Sequence, residues 1–325
     1  MKGVLTVQGS SRPATQPDVV GAFQAGQFFW LDLDGVDDDT ASMLETTFGI
    51  HPLVVDAARA FHQRPKIDDA DDYTAMVVYG VMGGPEDLQM AEVHFLLTAH
   101  YVISIRQGAV PAFDGVRSRI SQHRASDAQS PEAVLVYLMV DQLLDTFLPV
   151  LEQFDNKIDE LEDAILVKPT EAQLGTLFDM KRSLISIRRV VAPQRDMFAG
   201  VSSGIIPLTG VGDEGDRYIR EIYDRLIRVS DLVDSYRDLL TGVMDTHLST
   251  VSNRLNQVMK QLTIIATIFL PLSFLTGFFG QNFLVLVNHI RGPSAFWIFG
   301  VGLELLCVVG LLYLFHRRGW LGQAD

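Results

Sequence analysis

The sequence predicts an α+β domain facing water, a long α-helical stalk and two C-terminal transmembrane helices. Three observations predict it. Residues 262–279 and 295–315 are apolar runs with one charge between them, Glu304, and each is about as long as the ~20 residues that cross a bilayer as a helix. The first 125 residues carry short aromatic and β-branched runs separated by turn signals. From Ile219 through Leu226, Val233 and Leu240 to Leu262, side chains at steps of three and four form a heptad-like stripe.

In chain order, Phe28-Phe29-Trp30-Leu31-Asp32-Leu33 reads as a strand, as do residues 74–81 and 93–106. Residues 39–48 and 52–61 read as short helices, the first capped by Asp39 or Thr40. Gly83-Gly84-Pro85 is a turn. An acidic helical stretch, 132–167, stops at Lys168-Pro169, and a basic one, 171–195, runs back as an αα-hairpin. Residues 200–215 are a loop. The stalk helix of about forty residues then enters the first apolar run without a stop, and its stripe predicts an oligomer. The expected domains are 1–125 (α/β), 126–261 (hairpin and stalk), 262–281 (first span), 282–294 (connector), 295–315 (second span) and 316–325 (tail).

The chain of 325 residues has 26 Lys and Arg against 40 Asp and Glu, a formal charge of −14. That balance excludes a nucleic-acid partner, which needs a basic face, and an acidic surface concentrates cations instead. The mean hydropathy of +0.19 averages a polar majority with two apolar helices. Cys307, the single cysteine, lies inside the second run, so neither a disulfide nor a thiolate zinc cluster is expected. The eight histidines show no i, i+4 pair that would suggest zinc. Met1-Lys2-Gly3 opens a polar stretch without the apolar core of a secretory signal. Arg254 and Lys260 precede the first span and Arg317 and Arg318 follow the second, whereas the connector has only Arg291. The positive-inside bias predicts a multi-pass protein of the cell membrane with both termini in the cytoplasm.

Tyr236-Arg237-Asp238 and the unbroken stretch from Ser252-Asn253-Arg254-Leu255-Asn256-Gln257 to Phe269-Leu270-Pro271-Leu272 are very similar to the stalk and first membrane helix of the CorA family of magnesium transporters. Phe48-Gly49-Ile50-His51-Pro52-Leu53 and Gln63-Arg64-Pro65-Lys66-Ile67 resemble that family's N-terminal motifs, and the match spans nearly the whole chain. Ala192-Pro193-Gln194-Arg195-Asp196 resembles the zinc-transporting branch of the superfamily. The resemblance implies a funnel-shaped homopentamer in the lipid bilayer. The first membrane helix would line a pore for divalent metal ions, with no cofactor beyond transported and regulatory Mg2+. The pore-facing positions it implies are Asp245, Asn256, Leu262 and Leu270, with a filter of Gly280, Gln281 and Asn282 where the family has Gly-Met-Asn.

The chemistry agrees with that implication. Magnesium sheds its water reluctantly, so neutral amide and carbonyl oxygens can select the hydrated ion. Apolar leucine rings can gate by dewetting. The resemblance further implies a cytoplasmic magnesium sensor between subunits. Its stalk carboxylate falls on Glu221 and its partner position on Ala57, next to Asp56. The connector, Phe283 to Arg291, lacks the acidic residues usual in the family. Cobalt and nickel are expected to pass as well, and zinc transport, with or without proton coupling, is the alternative.

Asp32-Leu33-Asp34-Gly35 after an apolar strand resembles the nucleophile motif of a magnesium-dependent phosphatase, but a strand followed by an Asp-rich turn is the favoured reading. Asp68-Asp69 and the acidic face from Glu152 to Asp163 read as solvated surface. Glu304 stands inside the second span, where a charge costs about 2.5–3.5 kcal/mol. It is expected to bond to the first span near Ser273 or Thr276, or to carry a proton.

Overall fold

The computed structural model describes residues 1–320 except 71, 123–130, 207, 209–214, 282–283 and 290–291, with the backbone alone at 121, 122, 131, 285, 287 and 289. The chain divides into two units, Met1–Asp245 and Thr246–Asp325.

The first unit runs β1 (Gly3–Val7), β2 (Ser10–Pro13), α1 (Gln16–Gln24), β3 (Phe29–Asp34), α2 (Asp38–Thr46), α3 (Pro52–Ala60), β4 (Lys66–Asp69) and β5 (Thr74–Met82). It continues with β6 (Gln89–Leu97), β7 (Tyr101–Arg106), α4 (Ala112–Gln122), α5 (Pro131–Leu144), α6 (Phe147–Val167) and α7 (Glu171–Ser202) before α8 (Gly215–Phe279) begins. The strands form a sheet in the order β2-β1-β3-β7-β6-β5-β4, in which β3 and β7 are parallel and the other neighbours antiparallel.

Strand alternation builds a core on each face. Phe29, Leu31 and Leu33 point to a cluster closed by α1–α3 through Val19, Leu44 and Val55. Trp30 points to the other, closed by α4–α8 through Phe113, Leu143, Phe154, Leu184 and Leu226. The predicted strand over 93–106 is two strands, because Thr98 Oγ1 accepts from the backbone N–H groups of His100 and Tyr101 at 3.1 and 3.0 Å and turns the chain. The cap of α2 is Asp37, whose Oδ1 accepts from Thr40 N at 2.8 Å, and not Asp39 or Thr40.

The predicted helix over 132–167 breaks at Asp145-Thr146, and the sheet supplies the reason. β4 covers β5 only over Thr74–Val77, so the N–H groups of Tyr79 and Val81 need other acceptors. Gln194 Oε1 takes the first at 2.8 Å and Thr146 Oγ1 the second at 2.9 Å. Gly80 lies between them. A Cβ there would meet Thr146 Oγ1 at 3.0 Å and the Leu143 carbonyl at 3.1 Å, so the absent side chain lets the α5–α6 junction approach the strand.

α8 is 65 residues long and carries the stalk into the first apolar run without a break, as expected. The first half of its stripe, including Ile222, Leu226, Val229 and Val233, is buried within the chain itself. That half needs no second subunit. Farther along, Val251, Leu255, Val258 and Leu262 are exposed.

The second unit contains the C-terminal part of α8, the short α9 (Leu284–His289) and an apolar helix, Pro293–Arg317. Within that last helix, Phe296–Gly302 winds as a π-helix. The half-buried side of α8, including Ile264, Ile268 and Leu275, and the half-buried side of the last helix, including Val301, Cys307 and Leu311, form a hairpin. It is joined by a Phe279–Phe299 ring contact at 6.4 Å. Among the described residues three helices are long and apolar enough to cross a membrane. The apolar window of Glu132–Val167 is 56 % buried, against 0 % for Gly215–Phe279 and 6 % for Pro293–Arg317. The first therefore belongs to the core of its own unit, which leaves the two predicted spans.

Candidate functional site

Asn256, Leu262 and Leu270 lie on the exposed side of α8 in the second unit, with Leu262 58 % and Leu270 72 % exposed. At 3.6 residues per turn the three positions occupy an arc of about 120°, centred roughly opposite Ile264, Ile268 and Leu275. One face of α8 is thus taken by the hairpin partner, while the predicted pore face is exposed among the described residues. Gly280 ends the helix by donating its N–H to the Thr276 carbonyl at 2.9 Å. A Cβ on Gly280 would sit 3.0 Å from that carbonyl. Gln281 is exposed, and Asn282 lies outside the described residues. Asp245 is exposed at the end of the first unit.

The expected sensor carboxylates stand apart. Asp56 is exposed on α3, which covers one face of the sheet, and Glu221 is on α8, which covers the other. A site using both would need two copies of the chain. Among the described residues no group of three or more His, Cys, Asp or Glu is placed to hold a metal ion.

The sequence reading missed the surroundings of Glu221. Its Oε1 accepts from Arg225 Nε at 3.3 Å, and Arg225 Nη1 also lies 2.7 Å from Asp141 and 2.6 Å from Asp145. Arg119 is 3.7 Å from Asp141. Burial pushes the Asp141 carboxyl up, with Arg225 opposing the shift. A cation at Glu221 would compete with Arg225, which is tied to α5 by a nearly buried carboxylate. Residues 80 positions apart make that network, and no local pattern announces it.

The phosphatase reading fails on Asp32. Its carboxylate is 1 % exposed, accepts from Ser104 Oγ at 2.9 Å and is paired with Arg106 at 3.0 Å and with Arg117. Asp34 accepts from Lys2 Nζ and from Gly108 N at 2.9 Å; the hydrogen bond from Lys2 holds its carboxyl below the ordinary value. Neither aspartate is free to attack phosphorus, and the antiparallel β1 beside β3 is not the doubly wound sheet that chemistry uses. Asp69 Oδ1 likewise accepts from Thr74 Oγ1 at 2.9 Å.

Glu92 anchors the turn that opens Gln63-Arg64-Pro65. Phe61 and His62 have φ of 53° and 59°, left-handed values that cost a side-chain-bearing residue energy. Glu92 accepts from His62 N at 2.6 Å and Gln63 N at 3.0 Å, and its Oε1 lies 2.7 Å from His94 Nε2. Burial raises the Glu92 carboxyl, but His94 and the backbone N–H groups outweigh it and hold it below the ordinary 4.5. A folded value below the unfolded one gives stability above the unfolded value that is lost as pH falls through the folded one. The acid limb of a thermal-stability profile below about pH 4.3 should therefore be shallower for Glu92→Gln than for wild type, and identical limbs would count against the anchor.

Comparison with known proteins bears on this geometry. The model of the family described as "CorA-like Mg2+ transporter protein" matches residues 25–317. The "Cobalt/magnesium transport protein CorA" of Thermotoga maritima is 32 % identical over 299 residues, covering 90 % of this chain and 83 % of that protein. The complete structure of the CorA magnesium transporter of Methanocaldococcus jannaschii superposes with a TM-score of 0.81 at 20 % identity, covering 99 % of both chains. The ZntB cytoplasmic domain of Vibrio parahaemolyticus shares the fold over 78 % of this chain and 99 % of its own, at a TM-score of 0.61 and 16 % identity.

Proposed function

The chain belongs to the CorA-like Mg2+ transporter family, and from that membership we propose that it forms a homopentameric channel for hydrated magnesium, not an enzyme. The observation that carries the proposal is the side of α8 bearing Asn256, Leu262 and Leu270, which is exposed opposite the hairpin contact and runs toward Gly280-Gln281-Asn282. Five such faces around an axis enclose a pore. Leu262 and Leu270 are its apolar constrictions, where closure expels water. Gly280 carbonyls and Asn282 amides meet the hydrated ion at the mouth, Gln281 adding a donor and an acceptor beside them. Asn256 lines the path and Asp245 attracts the cation at the exit. Entry is passive and driven by the membrane potential, cobalt and nickel follow, and both termini face the cytoplasm of a cell-membrane protein. Glu221 and Asp56 from neighbouring subunits form the magnesium sensor, with Arg225 as the competing cation.

Magnesium uptake into proteoliposomes carrying an internal indicator tests this reading. Uptake under an inside-negative potential, unchanged by the presence of a pH gradient, is the expected result. Zinc uptake that requires a pH gradient, with no magnesium entry, would replace it by zinc transport. That second reading is favoured by Gln281, by the connector without acids and by Glu304. Silence toward both ions would leave a membrane-tethered sensor.

A further inference from the structure

The last helix presents two different sides. On one, Val301, Glu304, Cys307 and Leu311 are half-buried, and Thr276 on α8 donates its hydroxyl to Glu304 Oε1 at 2.8 Å. On the other, Leu305, Leu306, Val309, Gly310 and Tyr313 line an open groove of about 520 Å³. At 3.6 residues per turn these five fall within an arc of about 140°, centred roughly opposite Glu304, Cys307 and Leu311. Gly310 makes the notch between Leu306 and Tyr313, each about one turn away. A Cβ on Gly310 would meet nothing within 4 Å. Packing among the described residues therefore does not require glycine there, and the notch is open to what lies outside.

The groove runs into positive charge. Arg317 continues the line of Leu306, Gly310 and Tyr313 at steps of four, three and four, about 6 Å beyond Tyr313 at 1.5 Å rise per residue. His316, Arg317 and Arg318 are exposed. Arg318 donates its N–H to the Leu314 carbonyl at 3.0 Å and Trp320 donates its own to the Phe315 carbonyl at 2.8 Å. The Trp320 ring stacks on Phe315 with centroids 5.7 Å apart. The turn thus holds a basic pair beside an aromatic ring, a combination suited to the headgroup level of a membrane. From residue 246 to residue 320 the one Asp or Glu is Glu304, about 20 Å back along the helix from Arg317. The described residues of the second unit give these arginines no anion, which leaves their charge to one from outside.

We infer that this face is a binding site for an anionic diacyl phospholipid of the cytoplasmic leaflet. One acyl chain lies in the groove over Gly310, and the phosphate meets Arg317 and Arg318, whose guanidinium groups match phosphate oxygens in pairs. The groove alone would take any lipid, and the arginines select the charged one. A second copy of the chain fits this face less well. Subunits of one assembly share their orientation in the membrane, so a copy packed face to face would set its own Arg317 against this one, and like charges repel. The inference rests on the proposed function in placing the last helix outermost, and is independent of which ion passes.

Tryptophan quenching by phospholipids with brominated acyl chains tests the site. The full chain is reconstituted in phosphatidylcholine vesicles, and brominated phosphatidylglycerol or brominated phosphatidylcholine is added at equal mole fraction. Trp320→Phe identifies the share of the signal that belongs to Trp320. Phosphatidylglycerol is expected to reach Trp320 at least about fivefold better than phosphatidylcholine, the gain for one arginine at an anionic headgroup. Arg317→Gln combined with Arg318→Gln should bring the two lipids level. Gly310→Leu, which fills the notch, should lower the preference although both arginines remain. An unchanged preference in Gly310→Leu would reduce the site to diffuse attraction of charge and overturn it. Equal quenching by the two lipids in wild type, a comparison that needs no variant to fold, would also overturn it. Loss of the preference in millimolar inorganic phosphate would assign the arginines to a free anion instead. Shielding of Trp320 from both lipids would mean that another copy covers this face, which overturns the outermost placement of the last helix as well.

Discussion

Asp32→Ala is expected to destabilise the α/β unit by roughly 3–5 kcal/mol, the cost of breaking a buried ion pair from one side. The carboxylate is nearly sealed from solvent and holds Ser104, Arg106 and Arg117 together. Arg117 also stands over the Trp30 ring, 5.2 Å from its centroid. Removing Asp32 takes the shared anion from two guanidinium groups, 13 % and 20 % exposed, and leaves Arg117 only the exposed carboxylate of Asp114. Against a total stability of about 5–15 kcal/mol, the loss should lower the melting temperature of the detergent-solubilised chain by roughly 6–20 °C. Asp32→Asn should recover part of it, since an amide still accepts from Ser104 and one arginine. An unchanged melting temperature would mean that the pair is not a structural lock and would reopen the search for its role.

Asn282→Ala is expected to lower magnesium uptake at least about tenfold while the protein remains oligomeric. The argument is chemical. A hydrated magnesium ion presents a rigid shell of water donors, and a ring of amide oxygens accepts from that shell without removing it. Hydrogen bonds involving charged partners are worth about 1.5–3 kcal/mol each, and each 1.4 kcal/mol corresponds to tenfold. Loss of even one such bond from the ring is therefore visible in the flux. Asn282→Asp, which keeps the oxygens and adds charge, should retain ion entry with altered selectivity. Uptake by Asn282→Ala equal to wild type would place the filter elsewhere, with Gln281 the next residue to replace.

Parts of this molecule were legible residue by residue, and others were not. The strand at 28–33 was plain from its aromatic residues, and α3 from His51-Pro52, with proline at the first helical position. β1, β2, β4, α1 and α4 were missed because they are short, four to eleven residues each, and too brief to establish a period. Asp37, Asp38 and Asp39 are equivalent as letters, and only the chain path picks Asp37 as the cap. The α5–α6 break had no local signal either. It answers an unpaired strand edge about 65 residues away. At the candidate site, Leu262, Leu270 and Asn256 were placed by family resemblance, whereas the separation of Glu221 from Asp56 required knowing which face of the sheet each helix covers.

The sequence by itself determined the two apolar spans and the heptad-like stripe, and left Ser273 and Thr276 as alternative partners for Glu304. Each depends on composition or period over one or two adjacent segments, and the bilayer imposes its length requirement on any chain. Only the tertiary structure decided that half the stripe is buried within its own chain. It alone showed Asp32 locked between two arginines, and Thr276 as the residue whose hydroxyl meets Glu304. These depend on groups 28, 74 and 85 residues apart, where short-range patterning carries no information and packing alone sets the distance.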